Sequence, residues 1–177
     1  MKQTTLKSQL STFNILSIGC GAAWWEIKSI FEKPVDKIYL LDPNTEVLNK
    51  EDVEEGIRYF SKIFNKPFPA SFELLIQEAK EIPLENSSID EIWFFNSLHE
   101  INEVNTCLQE CHRLLKSGGQ IFMEEELSEK EQLFHEGCHR PLYFFDDIKK
   151  MMQASGLQFY SIEKKDEIAF YIRFQKP

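Results

Sequence analysis

The run Gly19-Cys20-Gly21 stands between an apolar stretch and a helical pattern. Glycines at such a corner let the backbone approach a ligand closely, and the free N–H groups that open the following helix favour a negative group. Taken alone, the corner is also an ordinary turn. Asp42 lies 23 residues after Gly19, at the end of the next apolar run. A carboxylate at that place accepts hydrogen bonds from both hydroxyls of a ribose, or else caps a helix. Corner and carboxylate together point to a nucleoside site. A dinucleotide fold needs a small third residue in GxGxxG register so that helix and strand pack closely, and that position is Trp24.

The elements that carry these residues alternate between short apolar runs and helical patterns, the signature of a parallel sheet covered by helices. Strands are expected at Ile15–Ile18, Ile38–Leu41, Phe72–Ile76, Ile89–Phe95 and Gln120–Met123. A helix with Ala23, Ile27 and Ile30 on one face follows the first strand, and an amphipathic helix from about Asn44 to Phe64 follows the second. Ile101, Val104, Leu108, Cys111 and Leu115 mark another helix, expected to stop at Gly118-Gly119. The acids Asp146 and Asp147 are expected to serve the start of a late helix that stops at Gly156. The runs Leu157–Ile162 and Ile168–Phe174 are joined by a short polar link, Glu163 to Glu167, which demands an antiparallel hairpin.

With 177 residues, 42% of them hydrophobic, the chain can bury one core. We expect one domain over 13–177 after a short polar segment, 1–12, that reads as neither signal peptide nor anchor. The formal net charge of −9 and the lack of a Lys/Arg cluster argue against nucleic acid and against an anionic membrane surface. Cys20, Cys107, Cys111 and Cys138 form no CxxC pair, which fits free thiols in a reducing, cytoplasmic setting. Cys107 and Cys111 sit on or beside the apolar stripe of a helix, so they are expected as core thiols, and no metal is assigned.

Five stretches then carry a resemblance over nearly the whole chain. They are ILSIGCGAAWWEI, IYLLDPNTEVL, IPLENSSIDEIWFFNSLHEI, CLQECHRLLKSGGQIFMEE and FFDDIKKMMQASGLQFY. In this order they resemble class I S-adenosylmethionine-dependent methyltransferases, close to the ubiquinone/menaquinone-biosynthesis-like branch (methyltransferase domain type 11). The resemblance implies a Rossmann-like α/β fold: a seven-stranded, mostly parallel sheet, helices on both faces, and a C-terminal antiparallel hairpin. It implies S-adenosyl-L-methionine as cofactor. Gly19, Cys20 and Gly21 would pass under its methionine and ribose, Asp42 would hold the ribose hydroxyls, and Pro43 would lie against the adenine. Glu78 would meet the adenine amino group, the Ala79 N–H a ring nitrogen, and Asn96 would border the methionine end. The sequence departs from the family at Ser17, where many members carry an acid, at Ala23 and Ser117, which replace Gly and Pro, and at Glu78, which is longer than the usual Asp.

A sulfonium methyl group is already activated, so transfer needs mainly alignment of acceptor, methyl and sulfur. A base is required only where the acceptor must lose a proton. His99 is the first candidate, since it follows the fourth strand; alternatively it begins the next helix and pairs locally. Glu124 is the second, or else one of three solvated acids. His135, His139, Arg140 and Tyr143 fall in the segment where the resemblance places acceptor-binding elements; the alternative is a surface loop. Asn96-Ser97-Leu98-His99 lacks the pattern of relatives that methylate planar amino groups, so a small-molecule acceptor is expected. Only about 13 residues precede the first strand, so the expectation includes an open site that a second copy or a partner protein completes. A module that has lost catalysis and acts through a protein partner stays as the alternative.

Overall fold

In the computed structural model, which describes residues 12–177, the apolar runs pair into one seven-stranded sheet. The elements are β1 (Asn14–Ile18), α1 (Trp24–Ile30), β2 (Lys37–Leu41), α2 (Lys50–Phe64), β3 (Ser71–Leu75) and β4 (Ile89–Phe95). They continue with a 3-10 turn (Leu98–Glu100), α3 (Val104–Leu114), β5 (Leu115–Glu126), α4 (Phe145–Ala154), β6 (Gln158–Lys164) and β7 (Ala169–Gln175). The strand order is β3-β2-β1-β4-β5-β7-β6. All neighbours are parallel except β5–β7 and β6–β7. The expected seven-stranded, mostly parallel sheet with a C-terminal antiparallel hairpin is therefore present. The expected segment 1–12 lies, except for Thr12, outside the described residues.

The two faces of the sheet are covered by different helices. Ile27 and Ile30 of α1 and Val53 and Phe60 of α2 pack with Ile15, Ile38, Leu40 and Trp93. Cys107, Leu108 and Cys111 of α3 and Ile148 and Met152 of α4 pack with Leu16, Ile92, Phe94 and Ile121 on the other face. Strand alternation sends consecutive residues to opposite faces, which is why central strands read as unbroken apolar runs. Cys107 and Cys111 are core thiols, and burial holds the Cys111 thiol well above its ordinary pKa. Among the described residues no helix is long and apolar enough to cross a membrane.

Several boundaries differ from expectation. Residues 44–49 are not helical: Asp42 Oδ1 accepts from Asn44 N (2.9 Å) and Asn44 Oδ1 from Glu46 N (2.9 Å), so side chains satisfy the turn. The helix starts only after Asn49, whose Oδ1 accepts from Asp52 N (3.0 Å). Gly118-Gly119 do not end a helix but lie within β5, which begins at Leu115 and shifts register against β4 there. A Cβ on Gly119 would meet Lys116 O at 2.9 Å and Asp90 O at 3.1 Å, so the two glycines serve a bulge. Asp146 and Asp147 do serve the start of the late helix: they lie in its first turn and complement its dipole, while Phe144 holds the N-cap position without a side-chain bond.

Candidate active site

Parallel pairing of Ile18 with Leu41 brings the ends of β1 and β2 side by side. Gly19 N and Cys20 N both donate to Leu41 O, at 2.8 and 3.2 Å, which turns the chain sharply over the end of β2. Gly19 has φ +69°, and a Cβ there would stand 2.8 Å from the Cβ of Ser97, so this position admits only glycine. Gly21 is also left-handed (φ +52°), yet nothing lies within 4 Å of where its Cβ would be. Its N–H donates to Asp42 Oδ2 at 2.9 Å. Corner and carboxylate are thus joined directly. Chain order along the sheet reverses between β1 and β4, and in open α/β sheets ligands bind outside the carboxyl ends at such a point.

A cavity of about 540 Å³ opens at this point. Gly19, Cys20, Gly21, Asp42, Pro43, Glu78, Ala79 and Asn96 all line it, together with Ser97, Glu100, Ile101 and Asn102. Its size suits a nucleoside-bearing cofactor. A larger hollow of about 720 Å³ lies along α2 and β3, lined by Ile57, Phe68, Phe72 and Leu74. It is at the sheet edge and away from the strand ends, so we place no chemistry there.

Ser17, at the position where an acid was expected, is buried, and its Oγ donates to Glu26 Oε1 at 2.8 Å. A carboxyl from the first turn of α1 thus stands against Ser17, behind the glycine corner and outside the cavity lining. Glu26 is 2% exposed, and burial pushes its pKa up to about 7 against the opposing Ser17 hydrogen bond. Burial likewise raises the Cys20 thiol, so it stays neutral beside the corner.

A second cavity of about 490 Å³ shares Ile101 and Asn102 with the first. His99, Gln132, Arg140, Tyr143 and Asp147 supply its polar lining. Burial first, and the Glu125 charge second, raise the Tyr143 phenol. Arg140 donates to Glu100 O (3.0 Å) and Asn102 Oδ1 (3.1 Å), fastening the segment before α4 to the loop after β4. His139 is exposed and lines neither cavity. Its left-handed backbone (φ +56°) closes a tight turn in which His135 N donates to Arg140 O (2.9 Å).

Glu124 points to the outer face, where it pairs with Lys165 at 2.5 Å, and lines neither cavity. Its neighbour Glu125 turns inward and is 2% exposed. One Glu125 oxygen accepts from Ser97 N and Leu98 N, both at 2.8 Å, and the other faces His99 Nδ1 at 3.4 Å. Period-two alternation carries this signal in the sequence: Ile121, Met123 and Glu125 share the buried face of β5.

The family model described as a methyltransferase domain matches residues 16–123. No curated protein matches the sequence. Among solved structures, an S-adenosylmethionine-dependent methyltransferase from Methanosarcina mazei is 15% identical, with a TM-score of 0.69 over 94% of this chain and 93% of that one. One from Aquifex aeolicus is 16% identical, with a TM-score of 0.67 over 93% and 82%. The cyclase SpnF is as similar in shape, with a TM-score of 0.70 at 13% identity over 94% and 76%. At such identities the likeness is one of fold alone.

Proposed function

Since the chain belongs to the methyltransferase-domain family, we propose that it transfers a methyl group from S-adenosyl-L-methionine to a small-molecule acceptor. The observation that carries this reading is the contact of Gly21 N with Asp42 Oδ2 at the mouth of a cavity also lined by Glu78, Ala79 and Asn96. The residues fit the cofactor: the backbone at Gly21 is left bare where a ligand must pass close, and a carboxylate stands beside it. When bound, the sulfonium compound supplies an activated methyl group for in-line displacement.

The chain's own work is then to hold and align. Asp42 spends one lone pair on Gly21 N and one on Asn44 N. A carboxylate has about four such sites, so acceptors remain for two ribose hydroxyls. Ala79 offers a backbone N–H, Glu78 a carboxylate, and Asn96 closes the opposite end. The acceptor would enter the adjoining cavity, where Arg140 and Tyr143 orient it. Its mixed polar lining and the net charge of −9 favour a small molecule over a nucleic acid. Glu124, tied to Lys165 outside both cavities, receives no role.

Thermal unfolding with S-adenosylhomocysteine tests this. At 100 times its Kd a ligand stabilises the fold by about 2.7 kcal/mol, which raises the Tm by roughly 5–10 °C in a chain of this size. Asp42→Ala removes two charge-assisted hydrogen bonds and should weaken binding about 100-fold. No shift at millimolar ligand would refute the reading, and so would an equal shift in Asp42→Ala.

A further inference from the structure

Where the two cavities meet, four side chains of metal-binding type converge. A nitrogen each from His99 and His135, the Cys138 sulfur and a Glu100 oxygen all lie within 4.8 Å of one another. They come from two distant parts of the chain, the 3-10 turn after β4 and the turn 135–140. Glu100 lines the first cavity and His99 the second. We propose that this cluster is a binding site for a borderline-soft divalent cation of the zinc type, which fastens the 135–140 turn to the end of β4.

The state of His99 is the main argument. Its side chain is 1% exposed, and among the described residues its Nε2 has no hydrogen-bond partner. A buried polar nitrogen without a partner destabilises the fold, and a ligand that takes its lone pair relieves that cost. Its other nitrogen, Nδ1, faces Glu125 Oε2 at 3.4 Å, and Glu125 is itself fixed by two backbone N–H groups. A carboxylate behind Nδ1 places the proton there and turns the Nε2 lone pair outward, the support that metal-ligating histidines commonly have. Here Nε2 lies 3.8 Å from Glu100 Oε1, and the centre of the His99 ring lies 4.7 Å from that of His135.

The donor set narrows the ion. Two imidazoles, a thiolate and a carboxylate suit zinc and disfavour magnesium or calcium, which prefer oxygen. Tetrahedral zinc at ordinary bond lengths separates its ligand atoms by about 3.3–3.6 Å. His135 Nδ1 and Cys138 Sγ are 3.2 Å apart and His99 Nε2 and Glu100 Oε1 3.8 Å, so the four donors must draw inward, and ligation through His135 Nδ1 displaces the Cys138 N–H that it accepts at 3.2 Å. Asn96, at 3.1 Å from His135 Nε2, becomes the outer partner of that ring when its amide turns over, which releases the 3.3 Å bond that its Oδ1 accepts from Glu126 N. Three of the ligands are buried or half-buried, whereas Glu100 is exposed and forms the replaceable side of the site. Ligation occupies the His99 lone pair that a general base would need, so His99 holds the metal and does not take the acceptor's proton.

Cobalt(II) substitution on the full chain, first stripped with chelator, tests the proposal independently of cofactor binding. The expected result is one Co²⁺ per chain, with a thiolate-to-cobalt charge-transfer band and visible bands of tetrahedral intensity, all displaced by Zn²⁺. Cys138→Ser should abolish the charge-transfer band, while Cys20→Ser should keep it. Glu125→Gln should weaken zinc binding about 10–100-fold in competition with a chromophoric chelator, with folding checked by circular dichroism. Absence of stoichiometric binding at micromolar metal would overturn the proposal. A band that survives Cys138→Ser would do the same.

Discussion

Glu26→Gln should make this protein more stable, and by an amount that depends on pH. The carboxyl is buried behind the glycine corner with Ser17 Oγ as its side-chain donor, and its pKa rises from 4.5 to about 7. The folded state therefore binds a proton that the unfolded chain releases between these pH values. Stability falls as pH rises through this window, because the native state must ionise a carboxyl out of water. A shift of this size corresponds to about 3 kcal/mol once both states are ionised. Glutamine has the same shape, still accepts from Ser17, and carries no charge. The two proteins should differ by under about 1 kcal/mol near pH 5 and by about 3 kcal/mol near pH 8, the latter roughly 6–12 °C in Tm. Urea unfolding followed by circular dichroism from pH 5 to 8 measures the difference, and subtracting the variant cancels the other titrating groups. A pH-independent gap, or a wild type more stable at pH 8, would refute the reasoning.

Other perturbations have equally definite outcomes. Gly19→Ala forces a side chain into a left-handed backbone and against Ser97 Cβ; it should cost about 2–4 kcal/mol in urea unfolding and abolish the thermal shift with S-adenosylhomocysteine. Arg113 grips both Glu110 oxygens and the carbonyls of Ile82 and Leu84; Arg113→Lys loses the fork and should cost about 1–2 kcal/mol. Tyr143→Phe keeps the ring at the wall of the second cavity but removes its hydroxyl; cofactor binding by calorimetry should be unchanged, while turnover with any acceptor found should fall.

The sheet was legible because its strands are apolar and bounded. Ile89–Phe95 was read from the sequence with the bounds that the structure has, since a central strand buried on both faces leaves no polar residue at its apolar end to confuse the pattern. Residues 44–49 misled because the helical spacing continues through a turn held by Asp42 and Asn44 side chains. Gly118-Gly119 misled because a glycine pair after a helical stripe marks a bulge as readily as a stop. In the site, Gly19, Asp42 and Glu78 are recognisable as motif residues at strand ends. Glu26 and Glu125 were not singled out. One acts across a helix-to-strand contact with Ser17, and the other is separated from its two half-buried neighbours only by strand phase. The approach of His99 to His135 and Cys138 depends on how a 3-10 turn and a distant loop fold together, which no spacing encodes.

A crystal structure of the complex with S-adenosylhomocysteine is the most direct test of the central claim. The adenosyl group should lie between Gly19–Gly21 and Asp42, with both ribose hydroxyls within hydrogen-bond reach of the Asp42 carboxylate. An adenosyl group bound elsewhere, or a ribose turned away from Asp42, would contradict the account.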